Sequence, residues 1–360
     1  MQTSVDSRVI DQRIAELTDK WMQCHDGDDI AASLQPTLQA VIDEGAAANR
    51  GGKRLRALLA LAAFKAYGTE CNHDLSPMLD LACAIEIYQT SALIHDDIID
   101  DSPLRRGHAS AHIALSQAGG PSNSGTGLAL MLGNMLATAS VDIAANALEN
   151  DALHHSQANL HTFLEMQRAV EIGQSMDLGA ETISLRKPDE LIDASLNVFA
   201  WKTASYTTIA PLQLGLCAAG MSPETARETA RSIGLPLGLA FQLADDLIDV
   251  VGTTENTGKP VGGDIREGKR TVLLADALLA SDDSEKKTLI NIYTHQQRDN
   301  ADVRTALNLF AVTGAIETSK QRIDQLWQEV QTAINWTDLD TENQRILQDA
   351  CSHFIPKDFQ

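Results

Sequence analysis

Two acidic segments of the chain, DDIID and DDLID, repeat one arrangement of three aspartates at positions i, i+1 and i+4. On a helix, the first and third aspartates of such a trio lie one turn apart on the same face. Each trio follows an apolar run and is therefore expected near the C-terminal end of a helix. Negative charge is unfavourable at that end unless a cation is bound, because the helix dipole is also negative there. The residues concerned are Asp96, Asp97, Asp100, Asp245, Asp246 and Asp249.

Three interpretations of these trios imply different chemistry: a solvated acidic surface, a general acid and base, or a metal site. The repetition beside apolar runs disfavours the solvated surface. An acid–base role would require several of the clustered carboxyl groups to stay protonated. Oxygen ligands without His or Cys at ligand spacing suit Mg²⁺ better than zinc, so we expect a structural role for the neighbouring His95. A magnesium site is the favoured interpretation.

Basic residues accompany both trios, and Mg²⁺ held by few carboxylates usually binds substrate phosphates as well. Lys202 is the most informative, since a lysine in the apolar run around Trp201 and Ala204 is costly to bury without an anion. The sequence contains no P-loop or GxGxxG element, which leaves nucleotide chemistry of those kinds unsupported. A substrate with a diphosphate head and an apolar tail fits this pattern best. The other basic residues near the motifs are Lys53, Arg54, Arg56, Arg105, Arg106, Lys259, Lys269 and Arg270.

The composition favours packed helices and disfavours several classes of partner. Of the 360 residues, 44% are hydrophobic but only 4% are aromatic, whereas β-sandwiches are richer in aromatic and β-branched residues. The formal net charge of −21 argues against binding to nucleic acid or to an anionic membrane. Five cysteines without a CxxC pair indicate neither zinc nor a disulfide framework. We find no leader and no run of roughly 18 apolar residues, and expect a cytoplasmic protein without a transmembrane segment.

Helical periodicity runs almost without interruption and predicts a single all-α domain over residues 1–360. Two polar, glycine-rich segments, 116–127 and 252–264, are expected to be loops. No alternating pattern typical of β-strands stands out. The predicted helices are 8–23, 29–46, 52–68, 75–101, 127–147, 157–177, 189–219, 223–250, 271–279, 285–294, 302–334 and 341–352.

Taken together and in order, the motifs between residues 51 and 271 resemble those of the trans-type isoprenyl diphosphate synthases, the polyprenyl synthetase family. They are GGKRLR, DDIIDDSPLRRG, GQSMD, KT, FQLADDLID and GKPVGGDIREGKRT. The resemblance implies an isoprenoid synthase fold, with about 12 or more helices around a central cavity, and usually a homodimer. It also implies condensation of isopentenyl diphosphate with an allylic diphosphate. One departure is Asn134, where many relatives have Asp, but this position matches no inferred ligand.

The resemblance also assigns roles to individual positions. The six aspartates would bind up to three Mg²⁺ around the allylic diphosphate, which Arg105, Lys202 and Lys259 would contact, with Lys269 nearby. Isopentenyl diphosphate would bind at Gly52, Lys53, Arg56, Gln89 and Arg106. Gln174, Asp177, Thr203 and Gln242 match positions that line the reaction centre. The expected catalytic residues are Lys202, Thr203, Gln242, Asp96 and Asp245.

The length of the product depends on how far the apolar tail extends along the helix predicted over 75–101. Ala92 and Ser91, four and five residues before Asp96, are small and leave the first turn open, whereas relatives that stop at farnesyl length often have an aromatic residue there. Tyr88 lies eight residues before Asp96, roughly 12 Å along the helix, where it would stop growth near C20. Two alternatives stay open: Tyr88 is a core aromatic that points elsewhere, or Met131 and Met135 of a facing helix set the depth.

The sequence therefore predicts a synthase that extends dimethylallyl, geranyl or farnesyl diphosphate to geranylgeranyl diphosphate. The nearest alternative is the same chemistry with a farnesyl or longer product. A terpene cyclase usually carries one DDxxD motif and more aromatic residues, which disfavours that alternative. A non-enzymatic helical protein that binds Mg²⁺ or Ca²⁺ is disfavoured by the two intact trios together with Lys202 and Lys259.

Overall fold

The structure, a computed structural model, describes residues 6–23, 29–68, 75–118, 124–252 and 261–356, and these are almost entirely helical, which confirms the all-α prediction. A π-helix, Phe199–Ile209, lies between the α-helices Pro188–Val198 and Ala210–Ala218. Two short strands, β1 (Leu104–Arg105) and β2 (His108–Ala109), form a hairpin. The α-helices are α1 Ser7–Met22, α2 Gln35–Ala48, α3 Leu55–Tyr67, α4 Ser76–Ile99, α5 Ala111–Gln117, α6 Ser124–Leu148, α7 Ser156–Ala180, α8 Pro188–Val198, α9 Ala210–Ala218, α10 Pro223–Val251, α11 Gly263–Glu267, α12 Val272–Ala280, α13 Asp283–Thr294, α14 Asn300–Val312, α15 Ala315–Asn335 and α16 Thr341–Ser352.

The chain divides into two compact units, and the first comprises Met1–Leu164 and Leu214–Pro223. Its centre is α4, which packs against α3 and α6. This helix begins with Ser76 and Pro77, and proline suits the first turn because its missing N–H has no helical partner there. Every residue from 81 to 88 is buried. α4 is therefore a core helix whose C-terminal end carries the first aspartate trio.

The second unit comprises Glu165–Gln213 and Glu224–Gln360. Here α12 packs against α8 and α15, and the buried Asp276 of α12 accepts a hydrogen bond of 2.9 Å from Arg322 of α15. The second aspartate trio lies in the last two turns of α10. Each trio thus lies at the C-terminal end of a long helix, as predicted. Whether the two units act as the single predicted domain stays a prediction.

Some predicted helices differ from the observed ones. The single helix expected over 302–334 is wrong, because Gly314 has a φ of +79° and separates α14 from α15. The segment expected as one helix over 189–219 is helical, but its middle part is the π-helix. The sequence analysis also missed α5, α11 and the hairpin. These elements have two to seven residues each, too few to show a periodic pattern.

Two features bear on location and redox state. By length and composition α6 could cross a membrane, a criterion that core helices of water-soluble proteins also meet, so the expected absence of a transmembrane segment stays a prediction. Cys83, Cys217 and Cys351 are free and buried. Burial raises the pKa of Cys217 to about 11 and that of Cys351 to about 12.

Candidate active site

The first aspartate trio lies where α4 ends, with Asp100 as the C-cap residue. Asp97 is buried, and both of its carboxylate oxygens accept hydrogen bonds from Nε of Arg105, at 2.9 and 3.1 Å. The same guanidinium lies 3.7 Å from Asp96. Burial lowers the pKa of Arg105, but the hydrogen bond to Asp97 and the charges of the trio raise it overall. A predicted metal ligand and a predicted diphosphate contact are thus paired with each other.

The hairpin that follows α4 directs two neighbouring arginines to different partners. Its turn residues, Arg106 and Gly107, both have positive φ, of 52° and 79°, the geometry of a type I′ turn. Arg105, on β1, turns back to Asp97. Arg106 donates hydrogen bonds of 3.0 Å to the carbonyl oxygens of Arg50 and Gly51. The hairpin therefore connects the first trio to the α2–α3 loop, residues 49–54.

The α2–α3 loop carries two of the residues predicted to bind isopentenyl diphosphate, Gly52 and Lys53. A Cβ on Gly52 would lie 3.1 Å from the Arg106 guanidinium, and the φ of Gly52 is +104°, so glycine suits this position. Burial lowers the pKa of Arg106, and the positive charges of Arg54, Arg105 and Arg56 lower it further. The structure thus brings Gly52, Arg56, Arg105 and Arg106 together. Lys53 is exposed and Gln89 is half-buried.

In the second unit, a chain of hydrogen bonds joins the KT motif to the second trio. The Thr203 hydroxyl donates to Oε1 of Gln242 at 2.9 Å, and Nε2 of Gln242 donates to Oδ1 of Asp246 at 2.8 Å. Beside it, Nζ of Lys202 lies 2.6 Å from Oδ2 of Asp177. Gln174, another of the predicted reaction-centre residues, is half-buried on α7. The Thr203–Gln242–Asp246 chain fixes which atoms of Thr203 and Gln242 can face a substrate.

Asp249 of the second trio binds the N-terminal end of α11. Its two carboxylate oxygens accept hydrogen bonds of 3.1 Å from the backbone N–H groups of Gly263 and Asp264. The Lys269 ammonium lies 3.8 Å from Asp264 and 2.9 Å from Glu267. The sequence analysis missed Asp264, although it stands in the VGGDIREGK segment that was singled out. The predicted contact Lys259 lies outside the described residues.

The electrostatics of this cluster favour a bound cation. Burial raises the pKa of Asp264 to about 7 and that of Asp246 well above its usual range, and neighbouring carboxylates add to both effects. Oδ2 of Asp246 is buried and has no hydrogen-bond partner within the described part of the chain. A divalent cation would stabilise these carboxylates in their charged form. The residues present therefore fit Mg²⁺.

The carboxylates fit an ion that also binds substrate. Among the described residues, no three His, Cys, Asp or Glu side chains are close enough to hold a metal ion by themselves. Mg²⁺ in phosphate-transfer sites is commonly bound by one or two carboxylates together with water and phosphate oxygens. An ion here would therefore complete its coordination with the diphosphate of a substrate.

Close packing of α7 on the π-helix gives the first prediction. A Cβ on Gly173 of the GQSMD motif would lie 2.3 Å from the backbone nitrogen of Lys202 and 2.5 Å from its Cα. Gly173→Ala should therefore lower the free energy of unfolding by about 2 kcal/mol or more, since neither backbone can move freely. Thermal denaturation measures the effect.

The matched control for this prediction is Gly179→Ala on the same helix. Apart from its chain neighbours and the backbone of its own helix, no described residue has an atom within 4 Å of the Cβ that it would add. Alanine has the higher helix propensity, so this variant should gain about 0.5–1 kcal/mol. Equal effects of the two substitutions would show that α7 can move away from Lys202.

The chain is similar to known proteins of one family. The family model described as polyprenyl synthetase matches residues 35–310. A short chain isoprenyl diphosphate synthase of Methanothermobacter thermautotrophicus is 31% identical over 269 residues, which are 74% of this chain and 75% of that protein. A geranylfarnesyl diphosphate synthase of Aeropyrum pernix is 31% identical over 276 residues, 76% of this chain and 79% of that one.

A solved structure matches both units. It is a geranylgeranyl pyrophosphate synthase from Corynebacterium glutamicum in complex with isoprenyl diphosphate and magnesium. Its TM-score is 0.82 at 30% identity, over 96% of this chain and 97% of that one. The chain therefore belongs to the polyprenyl synthetase family. It is a trans-prenyltransferase with the isoprenoid synthase fold, which confirms the resemblance and the fold class predicted from the motifs.

Proposed function

We propose that this protein condenses isopentenyl diphosphate with dimethylallyl, geranyl or farnesyl diphosphate, releases diphosphate, and stops mainly at geranylgeranyl diphosphate. The observation that carries the proposal is the Thr203–Gln242–Asp246 chain, because it joins a hydroxyl and an amide oxygen directly to the second aspartate trio. The hydroxyl and amide oxygens would stabilise an allylic cation. The aspartates would stabilise the departing diphosphate through the ions that they bind.

The first step is ionisation of the allylic C–O bond. Bound Mg²⁺ supplies the Lewis acid that neutralises charge on the departing diphosphate. The resemblance assigns the same role to Arg105, Lys202 and Lys259, each of which would add positive charge at the diphosphate. The Thr203 hydroxyl donates a hydrogen bond to Gln242, which leaves the lone pairs of the Thr203 oxygen available to the carbon cation. Water must be excluded, because it would capture the cation as an alcohol.

The second step is attack by the double bond of isopentenyl diphosphate on the allylic carbon. Arg56 and Arg106, beside the α2–α3 loop, would hold the diphosphate of this substrate together with Lys53 and Gln89, a role that the resemblance assigns to all four. Holding both reactants replaces a collision in solution by a reaction between bound partners. A proton then leaves the new prenyl chain, and the departing diphosphate accepts it.

We further propose that the aspartates bind up to three Mg²⁺ and that the enzyme is a cytoplasmic homodimer. The Corynebacterium structure, described as containing magnesium and isoprenyl diphosphate, supports the choice of metal. Leu130 and Met131 of α6 are 44% and 50% exposed, which supports an apolar contact between two copies. Analytical ultracentrifugation would test the homodimer.

Chain length gives the second prediction. Tyr88 is fully buried in α4, Ala92 is half-buried, and the Ser91 hydroxyl donates to the carbonyl oxygen of Gly133 on α6 at 2.7 Å. Tyr88→Ala should lengthen the main product beyond C20, because it removes the side chain proposed as the floor of the tail cavity. Tyr67→Ala, at an exposed tyrosine of the same unit, should leave the product unchanged. Unchanged C20 product from Tyr88→Ala would place the floor on α6.

The experiment that tests the proposed function is product analysis. Purified protein is incubated with Mg²⁺, isopentenyl diphosphate and each allylic starter, and the dephosphorylated products are separated and weighed by mass spectrometry. We expect geranylgeraniol from all three starters. A main product of C15 would refute the stated length and leave the chemistry, whereas a cyclic hydrocarbon would refute the condensation itself.

A further inference from the structure

The α2–α3 loop contains one arginine that does not face the proposed substrate. Arg54 has a φ of 53°, in the left-handed region that non-glycine residues rarely adopt. Its side chain is 1% exposed, whereas the neighbouring Lys53 is exposed. A charge buried so completely must have partners within the protein.

The partners of Arg54 belong to three different helices. Its Nε donates to Asp11 of α1 at 2.6 Å, and its Nη2 donates to the carbonyl oxygen of Asn49, where α2 ends. Its Nη1 lies 3.6 Å from Oε2 of Glu86 on α4, which is itself only 2% exposed. Oε1 of Glu86 accepts a hydrogen bond of 3.1 Å from the backbone N–H of Ala57, in the first turn of α3.

The side chain of each member of this ion pair contacts a helix end that favours its charge, although Arg54 is itself the N-cap residue of α3. Arg54 contacts the C-terminal end of α2, where the helix dipole is negative, and Glu86 binds the N-terminal end of α3, where it is positive. These two ends flank the α2–α3 loop. The Arg54–Glu86 pair therefore fixes the distance and direction between the two ends of the loop.

Arg106 holds the same loop from its other side. The carbonyl oxygens of three successive residues, Asn49, Arg50 and Gly51, all accept hydrogen bonds from guanidinium groups. Arg54 binds the first, and Arg106 binds the second and third. Gly51 and Gly52, with φ of +73° and +104°, have no side chains with which to hold the loop themselves.

We propose that Arg54, held by Glu86 and Asp11, is a positioning residue for isopentenyl diphosphate. It acts through the backbone of the α2–α3 loop and does not touch the substrate. The inference rests on the proposed function, since it requires that this loop bind isopentenyl diphosphate. It goes beyond that function because it assigns a role to Arg54 and Glu86, which lie behind the loop.

The role needs the planar, forked shape of arginine as well as its charge. A guanidinium donates in several fixed directions at once, here to Asp11 and to Asn49 with Glu86 beside it, whereas an ammonium is a compact point charge. Lysine at position 54 would keep the charge and lose part of this geometry. The loop would then be less well placed for the substrate.

The test compares Arg54→Lys with wild type in steady-state kinetics, varying each substrate while the other is saturating. We expect the KM for isopentenyl diphosphate to rise about tenfold, because small displacements of binding groups are costly. The KM for the allylic diphosphate and kcat should stay within about twofold of wild type. Asp11→Asn, at a 40% exposed carboxylate, is the milder variant and should raise the same KM about threefold.

The matched control is Arg13→Lys. Arg13 forms a comparable fork with Asp80, at 2.6 and 2.8 Å, and also joins α1 to α4. Within the described part of the chain, its hydrogen bonds and ion pairs go to Asp80 and Glu16 and not to the loop. The Arg13→Lys substitution should lower the melting temperature without changing the KM for either substrate. If Arg54→Lys behaves like Arg13→Lys, Arg54 is merely structural and the proposal is refuted. It is also refuted if both KM values and kcat change together.

The experiment also distinguishes misfolding of a variant from failure of the proposed function. If Arg54→Lys does not fold, the Asp11→Asn variant tests the proposal in its place. An unchanged KM for isopentenyl diphosphate in Asp11→Asn would then refute the proposal. Failure of the proposed function would appear in wild type itself, as absence of any condensation product. A wild type that condenses normally while both variants keep its KM values would refute the positioning role alone.

Discussion

Asp96→Asn is expected to lower kcat about 1,000-fold, which corresponds to about 4 kcal/mol of transition-state stabilisation. Asparagine keeps the size of the side chain but removes the charge that a metal ion requires. Stability should not fall, because Asp96 lies in the last turn of α4, where a negative charge opposes the helix dipole. Initial rates at saturating Mg²⁺ and both substrates, together with melting temperatures, measure the two effects.

The control for this substitution lies in the same acidic segment. Asp101 is the fourth carboxylate of DDIIDD, outside the i, i+1, i+4 pattern, and its side chain is 98% exposed. Its φ of 50° is one that asparagine also tolerates. Asp101→Asn should therefore keep kcat within about twofold. Similar losses in both variants would indicate that the overall negative charge of the segment matters, and would contradict a specific metal ligand.

Lys202→Gln is expected to lower kcat about 100-fold, because one fixed positive charge is lost where charge develops on the diphosphate. The residue lies on the π-helix next to Thr203, and its ammonium is 2.6 Å from Asp177. Rates at saturating substrate isolate the effect on the chemical step from the effect on binding.

Lys187→Gln provides the comparison. Lys187 pairs with Glu190 at 2.8 Å but is 61% exposed, and exposed pairs contribute little. It should keep wild-type kcat. A Lys202→Gln enzyme with kcat within threefold of wild type would exclude Lys202 from the ionisation step and leave its pairing with Asp177 as its role.

The motifs of the candidate site stand out in the sequence more clearly than the boundaries of the helices do. The aspartate trios and the KT motif are short and chemically unusual in apolar surroundings, and the structure places Thr203, Gln242 and Asp246 in one hydrogen-bonded chain. By contrast, the break at Gly314 and the π-helix depend on backbone geometry that helical periodicity does not report. The positions of the trios at helix ends were predictable because apolar runs precede them.

The sequence analysis mainly missed which charged residues pair with each other inside the protein. Glu86 stands in the apolar run CAIEIY, where burial of a lone charge is as costly as it is for Lys202, so the same reasoning could have found it. Its partner Arg54 belongs to a segment with three basic residues, and only the left-handed backbone shows which of them turns inward. Similarly, the pairing of Asp97 with Arg105 depends on the hairpin, which no sequence pattern indicated.

Release of diphosphate tests the central claim most directly. It is measured with both substrates, with each substrate omitted, and with Mg²⁺ removed by excess chelator. Prenyl transfer predicts one diphosphate released per isopentenyl diphosphate consumed, only when both substrates and Mg²⁺ are present, and restored when Mg²⁺ is added back. Release from the allylic substrate at the same rate without isopentenyl diphosphate, or no release under any condition, would contradict it.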